Sequence, residues 1–568
     1  MIDNPELSPA SGSSQRTFSC PEETLQTRKP FQVLLTLLLA FILGLAAYLR
    51  LAGLGDESFW FDEGGTMAYT GLPFTKMIDY IATRDVHTPL YFILIKFWRN
   101  LGDSEAFLRL PSAVFGIAAV AYMWSLVKEH WGAAAATASS LLLATSEMAI
   151  WYSQENRMYS LVLLLTVLSL RFFLRFVALF QCTGEDGQGN PAPRAALRDC
   201  LGITVFTLAL LYTHNVTIFL WGTQLLLGGL LGLIPLVRSR RRRSGGDSAN
   251  PAFRNIAFRQ WILCQAVIGV LYLPWLLVLF GQSATVHSRF LEGKSNLISR
   301  NLDALWDAIG FILLWGVWRI PILRDALKLV ILLVAVRTIW NFRDVKGLAL
   351  GAFVVLPLLM SYLYSIFRTP IMIYHALIFV CIPMLALVGS FLAMPATKAS
   401  VAKMCVGVLR VAAGVVIVAF LVYINFIVWR VELGLQSKED FRTAASLALK
   451  FADGATAVVF DDSACQAAFD YYFHRSDVGR NVDEYGVPCH YLEVPEGNMN
   501  LEPRITQQSV RVLDKKLSTY QRVVLVKNHE HVEYSDPSGL LQDYFESNWH
   551  FDQALPVKSI TLLVYTKL

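Results

Sequence analysis

Charge is scarce in this sequence. Only 16% of its 568 residues are Asp, Glu, Lys or Arg, 55% are hydrophobic, and the mean hydropathy is +0.46. Soluble domains carry about a quarter of their residues as charges, so a soluble globular protein is excluded. Zinc spacings are lacking as well. Neither CxxC nor HExxH occurs, which removes zinc ribbons and HExxH metalloproteases. The loops hold no Asp-x-Asp pair, and a hard cation gathered by Asp62, Glu63, Asp85 and His87 is not indicated, so no cofactor or metal is expected. Cysteines number eight. Cys20, Cys182, Cys200, Cys264, Cys381 and Cys405 fall in tails, inner loops or spans, whereas Cys465 and Cys489 share a C-terminal segment where a disulfide can persist. The formal net charge is +5, but the basic residues bunch in short loops, as orientation in a bilayer requires. A nucleic-acid partner is therefore not expected.

Long apolar runs are what the sequence has in plenty. Phe31 to Ala52 is the first, behind Arg28 and Lys29. Further runs lie at about 104–127, 133–149, 158–178, 200–214, 216–236, 259–281, 323–340, 347–366, 371–393 and 404–429. Each approaches the length that crosses roughly 30 Å of hydrocarbon. The expectation is a polytopic α-helical membrane protein with about eleven spans. Lys128, Arg171, Arg175, Arg238, Arg240 to Arg243, Arg337, Arg343, Lys346, Lys398 and Lys403 then fall on one side, which the positive-inside rule makes cytoplasmic. Residues 1–30, polar and carrying Pro9, Pro21 and Pro30, are expected to be a disordered cytoplasmic tail. An odd number of crossings puts the C-terminus outside, in an inner (plasma) membrane setting.

Composition shifts again near Leu433. Ser437, Glu439 and Asp440 precede apolar residues at helical spacing that stop at Gly454. AVVF at 457–460, RVVLV at 522–526 and the terminal TLLVYTKL are short buried-strand runs. Residues 31–432 therefore form a transmembrane domain with an extracytoplasmic loop at 53–103, and 433–568 an external α/β domain. That domain offers no acid, base or cation constellation that stands out.

The polar motifs fall on the outer side of this topology. FWFDE at 59–63, DVHTPLY at 85–91, RLPS at 109–112, WYSQENRMYSL at 151–161, LYTHN at 211–215, and RQWILCQ with LYLPW at 259–275 occur in sequence. In that order they resemble membrane glycosyltransferases of the protein-mannosyltransferase and aminoarabinose-transferase type. The resemblance runs from about 31 to 283, and more loosely to KEDFR at 438–442. It implies a GT-C-like fold, a polyprenyl-phosphate-linked sugar donor arriving through the bilayer, and a glycan, lipid or protein acceptor. It also implies that Asp62 is the base that activates the acceptor, with Glu63 beside it. Two departures stand out: Thr88 occupies a usual proline position, and His375 stands near a usual arginine.

The chemistry is also legible without the family. A sugar–phosphate bond breaks without an acid on the leaving group, because the phosphate departs as a stabilised anion that needs cations or N–H donors. One base suffices, and direct attack inverts the anomeric centre. A glycosidase would need two carboxylates flanking the bond, which adjacent residues of an extended loop cannot supply. Cations on the outer side are Arg84, Arg109, Arg157, Arg289, Lys294 and Arg300. Arg157 is favoured because SQENR joins two spans with almost no spare loop, whereas Arg109 and Arg289 could equally anchor headgroups. Asp85, His87, Tyr152, Gln154, Glu155 and His214 complete the expected substrate site. Asp85 and His87 could instead cap the helix that begins at Pro89, and Phe59 to Phe61 are expected to hold the acidic pair at the membrane interface. A transporter or a membrane scaffold with an external binding domain is the alternative. The one-sided charges and the want of an internal repeat count against the former, and the number of spans against the latter.

Overall fold

The computed structural model describes residues 28–179, 193–241, 251–290, 345–368, 371–392, 438–493, 504–529 and 535–568, with a few single positions between 306 and 336 and at 419 and 423. Except for such positions, the expected spans 323–340 and 404–429 lie outside the described residues. So do most of the N-terminal tail, Lys294, Arg300, Ser437 and six of the inner-side basic residues, Arg242, Arg243, Arg337, Arg343, Lys398 and Lys403.

Six described helices are long and apolar enough to cross a membrane: Gln32–Leu51, Glu105–Trp131, Tyr159–Ala178, Asn215–Leu233, Ile256–Gln282 and Val345–Phe367. Three expected spans take other forms. The run at 133–149 divides into the helix Ala133–Thr145 and a single turn, Glu147–Trp151, because Ser146 leaves the helical conformation and caps the second piece. The run at 371–393 yields the shorter apolar helix Ile378–Phe391, preceded by turns that carry His375. The run at 200–214 lies mostly in the helix Pro193–Leu211, and its last three residues, Tyr212 to His214, leave the helix. Gly132, at φ +89°, reverses the chain between Glu105–Trp131 and Ala133–Thr145, a conformation that an L side chain resists.

Tyr159–Leu179 is the most enclosed of these helices and packs against Glu105–Trp131 and Pro193–Leu211. Leu37, Phe41, Leu263, Val270, Leu277 and Phe280 are exposed along the outer helix faces, where lipid replaces water as the favourable neighbour. At one end of the bundle Arg171 and Arg175 pair with Glu129 at 3.1 and 2.5 Å. The acidic and histidine motifs gather at the other.

The C-terminal unit is a five-stranded mixed sheet in the order β2-β1-β3-β5-β4. These strands are β1 (Thr456–Phe460), β2 (Asp483–Gly486), β3 (Arg522–Asn528), β4 (Trp549–Val557) and β5 (Ile560–Lys567). Strands β1, β2 and β3 are parallel, and β5 returns antiparallel between β3 and β4. The buried runs at β1, β3 and β5 are the three strands expected from sequence. The other two are edges, and edge strands carry charge and proline because they have no second neighbour to bury them. Asp483, Glu484 and Pro556 are examples. The first helix of this unit, Phe441–Ala448, starts one turn later than expected, with Asp440 as its cap, accepting from Thr443 N at 3.0 Å. Cys465 and Cys489 are free thiols rather than a disulfide.

Candidate functional site

FWFDEGG is the start of a helix, Phe61–Gly71, and not an extended loop. Asp62 and Glu63 occupy its first turn, where the exposed N–H groups favour negative charge. No side chain of its own segment caps this helix. The C-terminal unit does so instead: Glu439 Oε2 accepts from Phe61 N at 2.8 Å, and Tyr472 Oη accepts from Phe59 N at 2.6 Å. Phe59 is fully buried against Tyr471 and Tyr472, with ring centroids 4.8 and 6.5 Å away. It anchors a contact with the C-terminal unit of the same chain, correcting the expected seat at the membrane surface. Gly64 completes that contact, for a Cβ there would lie 2.5 Å from Ala468 Cβ and 2.6 Å from its backbone.

The two acids have different neighbours. Glu63 has no exposed side-chain surface. It takes Arg109 Nε at 2.8 Å and Nη2 at 2.6 Å, and accepts from Asn156 N at 2.7 Å. Burial raises its pKa, but the charges of Arg109 and Lys438 override that and hold it below the ordinary carboxylate value. Arg109 gives its remaining donors to the carbonyls of Leu54, Glu57 and Ser58. Thus Glu63 and Arg109 shape the loop, and the expected phosphate or headgroup contact of Arg109 is not what its geometry provides. Asp62 is different: 32% of its side chain is exposed, with Arg157 Nη2 3.6 Å away.

Arg157 is the hub. Nη1 donates to Asp62 O at 3.2 Å, Nη2 donates to His87 Nε2 at 3.0 Å, and Tyr159 adds a hydrogen bond. Since a guanidinium only donates, His87 Nε2 accepts and its proton sits on Nδ1, 2.5 Å from Asp85 Oδ1. Asp85 also accepts from His87 N at 2.8 Å, so it orients the imidazole, while the helix Leu90–Trp98 begins without a side-chain cap. With both ring nitrogens engaged, His87 positions Arg157. The Nε–H of Arg157 has no hydrogen-bond partner among the described residues. Gln282 fixes the other flank of this loop, donating to the carbonyls of Ala82 and Asp85 at 2.9 Å. It went unnoticed because it stands just past an apolar run, far along the chain.

The SQENR segment folds beneath Asp62. Gln154 donates to Leu49 O and Ala52 O at 3.1 and 3.0 Å, closing the end of the first helix. Tyr152 packs on Tyr159 at 4.3 Å and near His375 at 6.2 Å. His375 also stands 5.3 Å from Tyr159, and His214 stands 6.4 Å from His87, so the polar end collects both. Burial pushes the pKa of His214 well below the usual value and brings that of His375 to about 4. Both are neutral imidazoles at physiological pH.

Glu155 is fully buried, and neither carboxylate oxygen has a hydrogen-bond partner among the described residues. Its nearest cation is Lys438, 3.4 Å from Oε1 and also 3.9 Å from Glu63, with the ammonium over the Trp151 ring at 5.1 Å. Burial lifts the pKa of Glu155 to about 7 against the pull of Lys438. The C-terminal unit therefore does supply a charge to this cluster. Lys438 was missed because a lysine in SKED reads as a solvated helix start.

This arrangement and the helical bundle define the fold of the GT-C class of membrane glycosyltransferases, and the chain is a multi-pass membrane protein. Residues 86–182 match the family model for dolichyl-phosphate-mannose-protein mannosyltransferase. Among solved structures, ArnT from Cupriavidus metallidurans bound to undecaprenyl phosphate is similar, with a TM-score of 0.52 at 12% identity, covering 94% of this chain and 98% of that one. Apo ArnT gives 0.51 at 12% identity, with 95% and 98% covered. An apo oligosaccharyltransferase from Archaeoglobus fulgidus gives 0.47 at 11%, with 91% and 73% covered. No curated protein matches the sequence.

Proposed function

We propose that this protein transfers a sugar from a polyprenyl-phosphate donor to a hydroxyl or amine of a lipid, glycan or protein on the extracytoplasmic side of the plasma membrane. One observation carries the reading. Four acids converge at the polar end, and side-chain exposure is 0% for Glu63 and Glu155 and 2% for Asp85, against 32% for Asp62. A base has to meet its acceptor, and Asp62 is the one open carboxylate of the four. Beside it Arg157 offers a cation with an unpartnered N–H, the group that a departing phosphate needs.

In this mechanism Asp62 takes the acceptor proton as the acceptor heteroatom attacks the anomeric carbon. The bond from that carbon to the phosphate oxygen breaks, and its electron pair leaves on polyprenyl phosphate. Arg157 stabilises the charge that develops there, aligned by His87 and, through it, Asp85. Attack opposite the leaving group inverts the centre. Glu63, Arg109, Glu155 and Lys438 support the loop behind Asp62.

The test is donor turnover. Protein purified in detergent should release free polyprenyl phosphate from a polyprenyl-phosphate sugar in the presence of extracted envelope acceptors, and Asp62→Asn should reduce this on the order of a hundredfold or more, as for a positioned general base. A transporter or scaffold would turn over no donor. Turnover that survives in Asp62→Asn would remove that residue from the chemistry.

A further inference from the structure

The helix Ser463–Phe473, whose Ala468 meets Gly64, carries a second polar cluster at its far end. Asp470 and the capping residue His474 are four positions apart and so share one helix face. Glu484 approaches from β2. His474 Nε2 is 3.0 Å from Glu484 Oε2, and one ligand atom from each of Asp470, His474 and Glu484 lies within 4.8 Å of the others. Among the described residues no other group of three His, Cys, Asp or Glu side chains comes so close.

Two features of this cluster point to a ligand. Asp470 is 9% exposed and the Glu484 side chain 7%, yet among the described residues no N–H or O–H donor reaches the buried Asp470 Oδ1 or Glu484 Oε1. Unpaired buried carboxylate oxygens are costly. Second, the two carboxyl groups face each other across the strand–helix junction. A single surface imidazole does not balance two such acids, whereas a dication does.

We propose that Asp470, His474 and Glu484 form a divalent transition-metal site of the Zn2+ kind. An imidazole nitrogen with two carboxylate oxygens suits a borderline metal, and an all-oxygen preference argues against Ca2+ and Mg2+. Three protein ligands leave a further position for water or for a fourth ligand. His490 is near enough to feel the charges of Glu484 and His474. The next residue, Tyr491, accepts at its carbonyl from Tyr80 Oη at 2.9 Å, so the corner that the metal would fasten touches the 53–103 loop. Bound metal would tie the end of the Gly64-packing helix to β2 and to that loop. Its role is to hold the C-terminal unit on the Asp62 helix, away from the reacting atoms.

The experiment uses the full-length protein in detergent, stripped with a chelator, incubated with equimolar Zn2+ and desalted. Metal per chain is measured by elemental mass spectrometry, and the unfolding midpoint is recorded with and without Zn2+. Wild type should retain a single equivalent and unfold at higher temperature with it, by mass action. His474→Ala, a change at a half-exposed position that folding should tolerate, should bind Zn2+ at least about tenfold more weakly and lose the midpoint shift. Glu484→Gln should do the same. Retention of Zn2+ by both variants at the wild-type level would place the metal elsewhere and overturn the site. So would a wild-type protein that retains none, which would leave the two carboxyl groups sharing a proton instead.

Discussion

Lys438 stands 3.4 Å from Glu155, its ammonium reaching from the start of the C-terminal unit to a carboxylate buried in the loop between two spans. A residue beyond the last expected span thus belongs to the same charge cluster as the residues after the first. Removing the C-terminal unit would strip Lys438 from Glu155 and Glu63, and Glu439 from the head of the Asp62 helix. Loss of all turnover is the expected result of such a truncation.

Glu155 should impose a pH dependence on stability. Its folded pKa, about 7, lies above the ordinary 4.5. The folded state therefore holds a proton that the unfolded state has released between those values. Its contribution is complete below about pH 4.5 and is lost as pH rises through 7, an effect of about 3 kcal/mol at most. Glu155→Gln, which stays neutral, should match wild type near pH 4.5 and exceed it at pH 8. Unfolding midpoints of both proteins in detergent across that range decide the matter, and parallel curves would refute it.

Glu63→Gln should unfold the protein more readily while sparing the chemistry. The substitution leaves the buried Arg109 guanidinium without its anion, and breaking such a pair costs about 3–5 kcal/mol. Thermal unfolding and turnover per folded molecule separate the two effects. A fully stable but inactive Glu63→Gln protein would put Glu63 in the reaction.

Arg157→Lys keeps the charge but loses the fork that joins Asp62, His87 and Tyr159. We expect kcat/KM to fall roughly tenfold to a hundredfold, equivalent to about 1.5–3 kcal/mol of charged hydrogen bonding, and further in Arg157→Gln. His87→Gln should show a smaller loss of the same kind. Equal activity of Arg157→Lys and wild type would mean that a point charge is enough.

Gly64→Ala tests the docking of the C-terminal unit. The added methyl meets backbone, which cannot rotate away, so a cost of about 1–3 kcal/mol is expected. Limited proteolysis should then release the C-terminal unit faster, with turnover reduced in step. Wild-type protease resistance would show that the contact gives way more easily than its distances imply.

Orientation is open to labelling with a thiol probe that cannot cross membranes. A cysteine at the exposed Asp477 should react from outside intact cells, and one at the exposed Lys128 only after permeabilisation. Reaction of both from one side would contradict the basic-loop assignment.

The sequence by itself determined the membrane class, the positions of most described spans, the order of the motifs, and the prominence of Asp62 and Arg157. These are local properties: apolar length, loop charge, and acids that a bilayer tolerates only with a use. The inner strands β1, β3 and β5 were equally legible, since burial on both faces leaves continuous apolar runs. The edge strands β2 and β4 were not, because exposure permits almost any polar sequence. Tertiary structure alone decided which acid is open. Asp62 and Glu63 are neighbours of nearly identical chemistry, and what separates them is Arg109 on a later helix and Lys438 in the next domain. It also decided that His87 serves Arg157, that Gln154 and Gln282 close backbone ends, and that Phe59 faces tyrosines rather than lipid. Each of these depends on a partner far away in sequence, and pairing at that distance leaves no periodicity to read.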